Sequence, residues 1–167
     1  MTFNQMKKFE NFPANSKVWI YQCERALTTD EVDFILNIGN EFSSQWASHG
    51  APVNGAIDVL YNRFVVVVAE DSGQIGGCSI DTSVGVIRKA QATLSVDFFD
   101  RMTLAYLASD SVEAVHVNKL DEAVGEGLLG AKTTVFNNTV TDLTGLRNDW
   151  MIPLEKSWAW GRVSTHA

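Results

Sequence analysis

The sequence predicts an α+β domain with a mixed or mainly antiparallel sheet of about five strands packed against two longer helices. Strand-like segments occur both in adjacent pairs and next to helical segments, whereas a strictly alternating α/β fold interleaves them one by one. Two stretches, one after Thr28 and one after Gly77, carry apolar residues at helical spacing. Because 167 residues fit one domain, we expect residues 1–167 to form a single globular domain, with 1–16 as a loosely ordered arm.

The composition is that of a globular protein and argues against nucleic-acid binding. Hydrophobic residues make up 46% of the chain and charged residues 20%, which are ordinary values for a globular protein. A net charge of −7 argues against a general nucleic-acid binder, since phosphate contacts need clustered Lys and Arg. The longest apolar run, Phe64 to Ala69, is too short for a membrane span. Residues 1–10 lack the apolar core of a signal peptide, so we expect a cytoplasmic protein.

The first elements are a strand and a helix. Residues Lys17 to Cys23 are rich in β-branched and aromatic residues and apolar on both faces, which predicts a strand in the middle of a sheet. Thr28 and Glu31 have the spacing of a capping box at a helix start. The helix that follows has one apolar face with a 3.6-residue period: Val32, Ile35, Leu36, Gly39, Phe42 and Trp46. It should fade near Ser48, before the break at 50–52.

The middle of the chain predicts two hairpins around a second helix. Segments 56–61 and 64–69 form a hairpin that turns at Asn62-Arg63, with a single bent strand as the alternative. The second helix begins at Cys78 or Ser79 and runs to about residue 95. Segments 103–108 and 112–117 then form a hairpin across Ser-Asp-Ser.

The C-terminal part predicts shorter elements. Asn118 caps a short helix that ends near residue 125, and residues 133–136 form a strand. Thr141 caps a last helix, which Pro153 stops. The apolar face of that helix consists of Leu143, Leu146 and Trp150. The large apolar area of Trp158 and Trp160 predicts that the tail docks onto the body of the protein.

The residues that could carry chemistry centre on the junction between a strand and the second helix. Cys78 lies where free helix N-terminal amides favour a thiolate, although Asp81, within one turn, opposes it. A structural interpretation, in which Cys78 or Ser79 caps the helix, stays open. His49 is the best available general base. Arg63 could grip a carboxylate or phosphate, or form a surface ion pair.

Other motifs exclude functions. Residues 125–133 come close to a phosphate-binding loop, but Ala131 separates the glycine from Lys132 and the predicted order is helix, loop, strand. Nucleotide hydrolysis is therefore not expected. Two cysteines, Cys23 and Cys78, are too few for a disulfide framework or a cysteine-based zinc site, and no usual His and Cys spacing is present. We expect neither a metal nor a cofactor.

Six segments together resemble one small bacterial family: Val18–Gln22, Trp46–Gly50, Tyr61–Phe64, Gly77–Asp81, Val135–Asn138 and Ser157–Trp158. Its members have about this length, so the resemblance covers nearly the whole chain. They are often labelled "ABC transporter ATPase", but this chain has no intact phosphate loop and no signature motif, and is too short for such a domain. The family pattern has a histidine after Ser-Trp, where this chain has Ala159. The resemblance implies a single cytoplasmic domain and no particular mechanism.

The functional prediction is a non-catalytic domain that binds a small ligand or a protein partner near the Cys78 junction. Candidate ligand-binding residues are Arg63, Ser79 and His49. The alternative is a hydrolase or acyl-transfer enzyme in which Cys78 is the nucleophile, His49 the base and Asp81 the group that orients it. A thiol redox sensor without turnover is a third interpretation.

Overall fold

Strands and helices follow one another in blocks along the chain. The computed structural model describes residues 6–71 and 77–163, and the side chains of residues 77–79 lie outside this description. The strands in these ranges are β1 (Lys17–Gln22), β2 (Ala47–Ser48), β3 (Ala51–Pro52), β4 (Gly55–Leu60), β5 (Phe64–Ala69), β6 (Thr103–Ala108), β7 (Ser111–His116), β8 (Thr134–Phe136) and β9 (Met151–Pro153). The α-helices are α1 (Thr29–Gln45), α2 (Gly77–Leu94), α3 (Leu120–Gly125) and α4 (Leu143–Asn148). Short 3₁₀ helices occur at Lys7–Phe9, Val117–Lys119, Leu154–Lys156 and Trp158–Arg162. The α+β prediction is confirmed.

The strands form three antiparallel sheets. In the described residues their orders are β1-β5-β4, β2-β3 and β7-β6-β8-β9, so the largest sheet has four strands. The central strand of the three-stranded sheet is β5, whose six residues are all buried. The prediction that β1 lies in the middle of a sheet is wrong, because β1 is an edge strand. Its apolar character has another cause: its outer edge is covered by the second half of the chain, where the Val18 backbone N–H donates to Thr141 O at 3.0 Å.

The three-stranded sheet is covered on both faces, which explains why β5 is apolar throughout. Val65 and Val67 belong to one buried cluster together with Ile35 of α1 and Ile87 of α2. The alternate residues of β5 face a second cluster that joins them to the C-terminal half: Phe64, Val66, Val68, Phe136, Leu143, Leu146 and Trp150. The helices therefore lie on one side of this sheet, and β8 and α4 contribute to the core on the other.

Helix α1 begins as predicted and ends early. Thr28 Oγ1 accepts from the Glu31 backbone N–H, and Thr28 N donates to Glu31 Oε1 at 2.9 Å, which completes the capping box. The helix ends at Gln45 rather than near Ser48, because the small β2–β3 hairpin follows it. The two residues of its turn, at φ 51° and 82°, are His49 and Gly50. Both are left-handed, as a type I′ hairpin turn requires.

The β4–β5 hairpin is confirmed, and its turn lies one residue earlier than predicted. Tyr61 and Asn62 have positive φ values of 54° and 51°. The Arg63 backbone N–H donates to Leu60 O at 3.1 Å and closes the turn. Arg63 itself is therefore not required to adopt a left-handed conformation, which an arginine disfavours.

The predicted caps of the two short C-terminal helical segments are wrong by one or two residues. Asp142, not Thr141, caps α4: its Oδ1 accepts from the Gly145 backbone N–H at 2.7 Å. His116, not Asn118, caps the 3₁₀ turn before α3 by accepting the Asn118 N–H on Nδ1 at 3.1 Å. The three apolar residues predicted for the α4 face are all buried.

The ends of the chain pack onto the body. From Met6 onward the predicted arm is part of the fold, since Phe9 is fully buried and stacks edge-on with Phe12. The sequence prediction did not include β9, a three-residue strand that pairs with β8. Trp160 packs against the third buried cluster, whereas Trp158 remains 43% exposed. The docking predicted for the tail thus holds for one of its two tryptophans.

Candidate functional site

The predicted junction is only partly within the described residues. Helix α2 begins at Gly77, one residue before the predicted start. The side chains of Cys78 and Ser79 lie outside the description, and Asp81 is exposed. The proposed arrangement of Cys78, His49 and Asp81 stays a prediction.

His49 is exposed at the turn of the β2–β3 hairpin. Strand β2 contacts α2, so this hairpin lies beside the helix that starts at the junction. The topology thus brings the His49 turn and α2 to the same side of the fold.

Arg63 has a structural role that the sequence did not indicate. Its side chain is buried and donates to three backbone carbonyls: Nε to Cys23 O at 3.2 Å, Nη1 to Val112 O at 3.1 Å and Nη2 to Glu24 O at 2.8 Å. Burial lowers the pKa of the guanidinium below its usual value. These bonds join the end of β1 to β7. Arg63 lies just before the start of β5, whereas the predicted junction follows the end of that strand. The length of β5, about 17 Å, therefore separates Arg63 from the strand end that leads to the junction.

A cleft of about 260 Å³ opens between the edge of β1 and the four-stranded sheet. We call it the β1 cleft. Its lining comes from β1, from the segment leading into β6, from the segment after β8 and from the last 3₁₀ helix: Ile20, Tyr21, Gln22, Phe98, Asp100, Arg101, Met102, Thr103, Leu104, Phe136, Asn138, Thr139, Trp158 and Arg162.

Side-chain amides form a hydrogen-bonded chain at this cleft. Trp150 Nε1 donates to Asn138 Oδ1 at 2.9 Å, Asn138 Nδ2 donates to Gln22 Oε1 at 3.0 Å, and Gln22 Nε2 donates to Thr103 O at 3.1 Å. The direction of the chain is fixed chemically, because an indole N–H can only donate and a backbone carbonyl can only accept. Each amide nitrogen carries two hydrogens and uses one of them in the chain.

Two cations and two exposed apolar side chains also line the cleft. Arg101 and Arg162 are exposed, and Arg162 Cζ lies 5.9 Å from the centroid of the Trp158 ring. Met102 is 44% exposed and Trp158 43%, whereas Trp46 and Trp150 are buried. The ion pairs among residues 6–71 and 80–163 involve Lys17, Arg25, Lys119 and Lys132, so neither arginine of the cleft has a carboxylate partner there.

Two other groups of the cleft, Tyr21 and Asp100, have pKa values shifted further away from pH 7. Burial raises the pKa of Tyr21, and the charge of Arg101 partly opposes this shift. Asp100 accepts from the Met102 backbone N–H at 2.7 Å and from Thr103 Oγ1 at 2.8 Å, and these bonds lower its pKa. The hydroxyl is therefore neutral and the carboxylate ionised near pH 7. Two arginines and one aspartate give the lining a formal charge of +1 on a protein of −7.

A second, more open cleft of about 700 Å³ adjoins the first. The residues common to both are Ile20, Tyr21, Arg101, Asn138 and Thr139. Ile80, which belongs to the predicted junction, lines the second cleft together with Trp19. The start of α2 therefore borders the same surface as the β1 cleft.

The chain was compared with protein-family models, with curated proteins and with solved structures. None of them matches. The resemblance drawn from the sequence stays a prediction, and three of its segments supply Gln22, Asn138 and Trp158 to the cleft.

Sequence reasoning missed the two arginines. One signal could have found the first, because Arg101 is one of only two cations in the acid-rich stretch 95–127. Arg162 gives no such signal.

In the described part of the chain, no helix is long and apolar enough to cross a membrane. The same residues contain no group of three or more His, Cys, Asp or Glu side chains placed to hold a metal ion.

Proposed function

We propose that this protein is a non-catalytic domain that binds a small ligand in the β1 cleft, beside the start of α2. The observation that carries the proposal is the amide chain through Asn138 and Gln22, which lies at the same cleft as two arginines without a carboxylate partner among the described residues. Polar groups placed between two sheets are costly unless they are bonded. A ligand would use the amide hydrogens that the chain leaves over.

The size of the cleft favours a small molecule over a protein segment. Its volume of about 260 Å³ lies just below the range of about 300–1,000 Å³ that is usual for ligand pockets. Apolar side chains with a few convergent polar groups are the usual composition of such pockets. Here Met102 and Trp158 supply the apolar surface, and the two amides supply the polar groups.

The titratable groups support binding rather than acid–base chemistry. A general acid or base works best with a pKa near the operating pH. The fold moves the pKa of Tyr21 up and that of Asp100 down, so neither changes its charge near neutrality. The Cys78-dependent enzyme and the redox sensor remain the alternatives to this proposal. A cytoplasmic location and membership in the small bacterial family are also proposals, and both rest on the sequence.

The test is a fragment screen by NMR on uniformly ¹⁵N-labelled protein. At 18.4 kDa, the side-chain amide and indole signals can be assigned individually. We expect fragments that bind to shift the side-chain amides of Gln22 and Asn138 and the indole N–H of Trp158. The side-chain amide of Gln45, exposed at the end of α1, is the internal control and should not shift. If no fragment of any charge moves the cleft signals, the proposal is wrong.

A further inference from the structure

The hydrogen-bonding polarity of the β1 cleft selects the chemistry of its ligand. Because Trp150 donates at one end of the amide chain and a carbonyl accepts at the other, the amides of Asn138 and Gln22 each keep one N–H with no partner among the described residues. Unsatisfied donors are rarer in folded proteins than under-satisfied carbonyl oxygens. The second hydrogen of each amide is therefore available to an acceptor at the cleft.

The charges of the cleft act in the same direction. Arg101 and Arg162 bring five N–H donors each. Among the described residues of the lining Asp100 is the one carboxylate, and its two oxygens accept bonds from the Met102 N–H and from Thr103 Oγ1 at the start of β6. A guanidinium matches the geometry of a carboxylate or phosphate better than that of a neutral group. An acceptor with a negative charge is thus favoured over a neutral one.

The exposed ring of Trp158 indicates that the ligand of the cleft contains a flat apolar group. Trp158 is 43% exposed, and the guanidinium of Arg162 lies over its ring. Exposed aromatic faces bind planar rings by stacking, and an arginine plane extends such a surface. The cleft volume of about 260 Å³ admits one ring system with its substituent.

We infer that the ligand of the β1 cleft is a small planar anion, an aromatic or heterocyclic ring that carries a carboxylate or a phosphate. This inference rests on the proposed function. The ring lies against Trp158, and the anionic group meets Arg101, Arg162 and the free hydrogens of the two amides.

The experiment measures the affinities of matched probes by NMR titration. Benzoate and indole-3-carboxylate are compared with benzamide and indole-3-carboxamide, which keep the ring and lose the charge. Comparing phenyl phosphate with benzoate shows whether the site prefers a phosphate or a carboxylate. Comparing phenyl phosphate with inorganic phosphate shows whether the ring contributes to binding. We expect each ring anion to bind at least about tenfold more tightly than its neutral counterpart, the scale of one charge-assisted hydrogen bond.

Variants separate the cleft from the rest of the surface. Arg101→Gln and Arg162→Gln should each weaken ring-anion binding by roughly tenfold, and Arg101→Gln should leave the carboxamides unaffected. Arg88→Gln is the matched control, since Arg88 is also exposed and lies over an aromatic ring, Phe99, at 6.0 Å. It should bind every probe as the unmodified protein does. All three positions are exposed, so the variants should keep the native amide spectrum.

Each outcome has a distinct meaning. Preferential binding of ring anions that both cleft variants weaken supports the inference. If benzamide and indole-3-carboxamide shift the cleft signals as strongly as the anions, the inference is wrong and the proposed function stands. If no probe and no fragment shifts the cleft signals, the inference and the proposed function fail together.

Discussion

Asn138 donates a hydrogen bond from Nδ2 to Oε1 of Gln22 at 3.0 Å, across 116 positions of the chain. The bond links an edge strand of the three-stranded sheet to the segment that follows β8. It also continues to the buried indole of Trp150, so a core residue fixes the orientation of amides at the cleft. Rigid placement of this kind lowers the entropy that a site loses when a ligand binds.

The first prediction concerns the energy of this link. Asn138→Leu removes the acceptor of the buried Trp150 N–H. Gln22→Leu removes the acceptor of the Asn138 Nδ2 hydrogen. We expect Asn138→Leu to lower the free energy of unfolding by about 1–3 kcal/mol, because the buried Trp150 N–H then loses its partner. Gln22→Leu should cost less, about 0.5–1.5 kcal/mol, because Asn138 is only half-buried. Denaturation in urea measures it. The double variant should be less destabilised than the sum of the two by about 0.5 kcal/mol or more. Gln45→Leu, at an exposed position, is the control and should change stability little.

The second prediction concerns Arg63. Arg63→Met removes the donor to the carbonyls of Cys23, Glu24 and Val112, and we expect a loss of about 2–4 kcal/mol in the free energy of unfolding. Arg63→Lys should also be destabilising, because one ammonium cannot reproduce the planar arrangement of donors. Arg88→Gln is the control, as Arg88 is exposed on α2. Its urea midpoint should stay close to that of the unmodified protein. If Arg63→Met matched this control, the structural role would be refuted.

The third prediction is a pH dependence at the start of α1. Hydrogen bonds from Arg25 and then from the Thr28 backbone lower the pKa of Glu31 from 4.5 to about 2. A carboxyl whose pKa is lower in the folded state stabilises the fold above its unfolded pKa, and this contribution is lost as the pH falls toward the folded value. We expect Glu31→Gln to be less stable than the unmodified protein at pH 7, with the gap narrowing between about pH 5 and pH 2. Urea midpoints measured across that range test it, and a constant gap would contradict it.

The fourth prediction addresses the thiols. Cys23 is fully buried and burial raises its pKa, so iodoacetamide should modify it only after unfolding. With Cys23→Ser as background, the modification rate of Cys78 across pH reports its exposure and its pKa. The binding proposal expects Cys78→Ala to bind the ring anions within about twofold of the unmodified affinity, a difference of less than about 0.5 kcal/mol. Rapid alkylation with an apparent pKa well below about 8.5 would instead favour the enzyme or the sensor.

The parts of the fold that were predicted correctly are those specified locally. The capping box of Thr28 and Glu31 is specified by four consecutive residues, and the apolar face of α1 by the spacing of apolar residues within that helix. The turn at Tyr61 was placed one residue late, because a positive φ at tyrosine goes against local preference. Strand β9 has three residues, too few to show a period of two.

The candidate site could be predicted only in part for the same reason. The junction at Gly77 was visible because a strand and a helix meet there in sequence. Gln22 and Asn138 meet only through the packing of two sheets, and no local pattern specifies that contact. Arg63 looked like a surface cation by its neighbours in sequence, but the carbonyls that hold it come from β7 and from the residues after β1.

An intermolecular nuclear Overhauser measurement on protein saturated with indole-3-carboxylate tests most directly whether the ligand binds in the β1 cleft. We expect contacts from the ring protons of the probe to the indole of Trp158 and to the side-chain amide hydrogens of Gln22 and Asn138. Contacts to residues at the Arg63 end of the sheet, such as Met151 or Val112, with none to Trp158, would contradict it and place the ligand elsewhere.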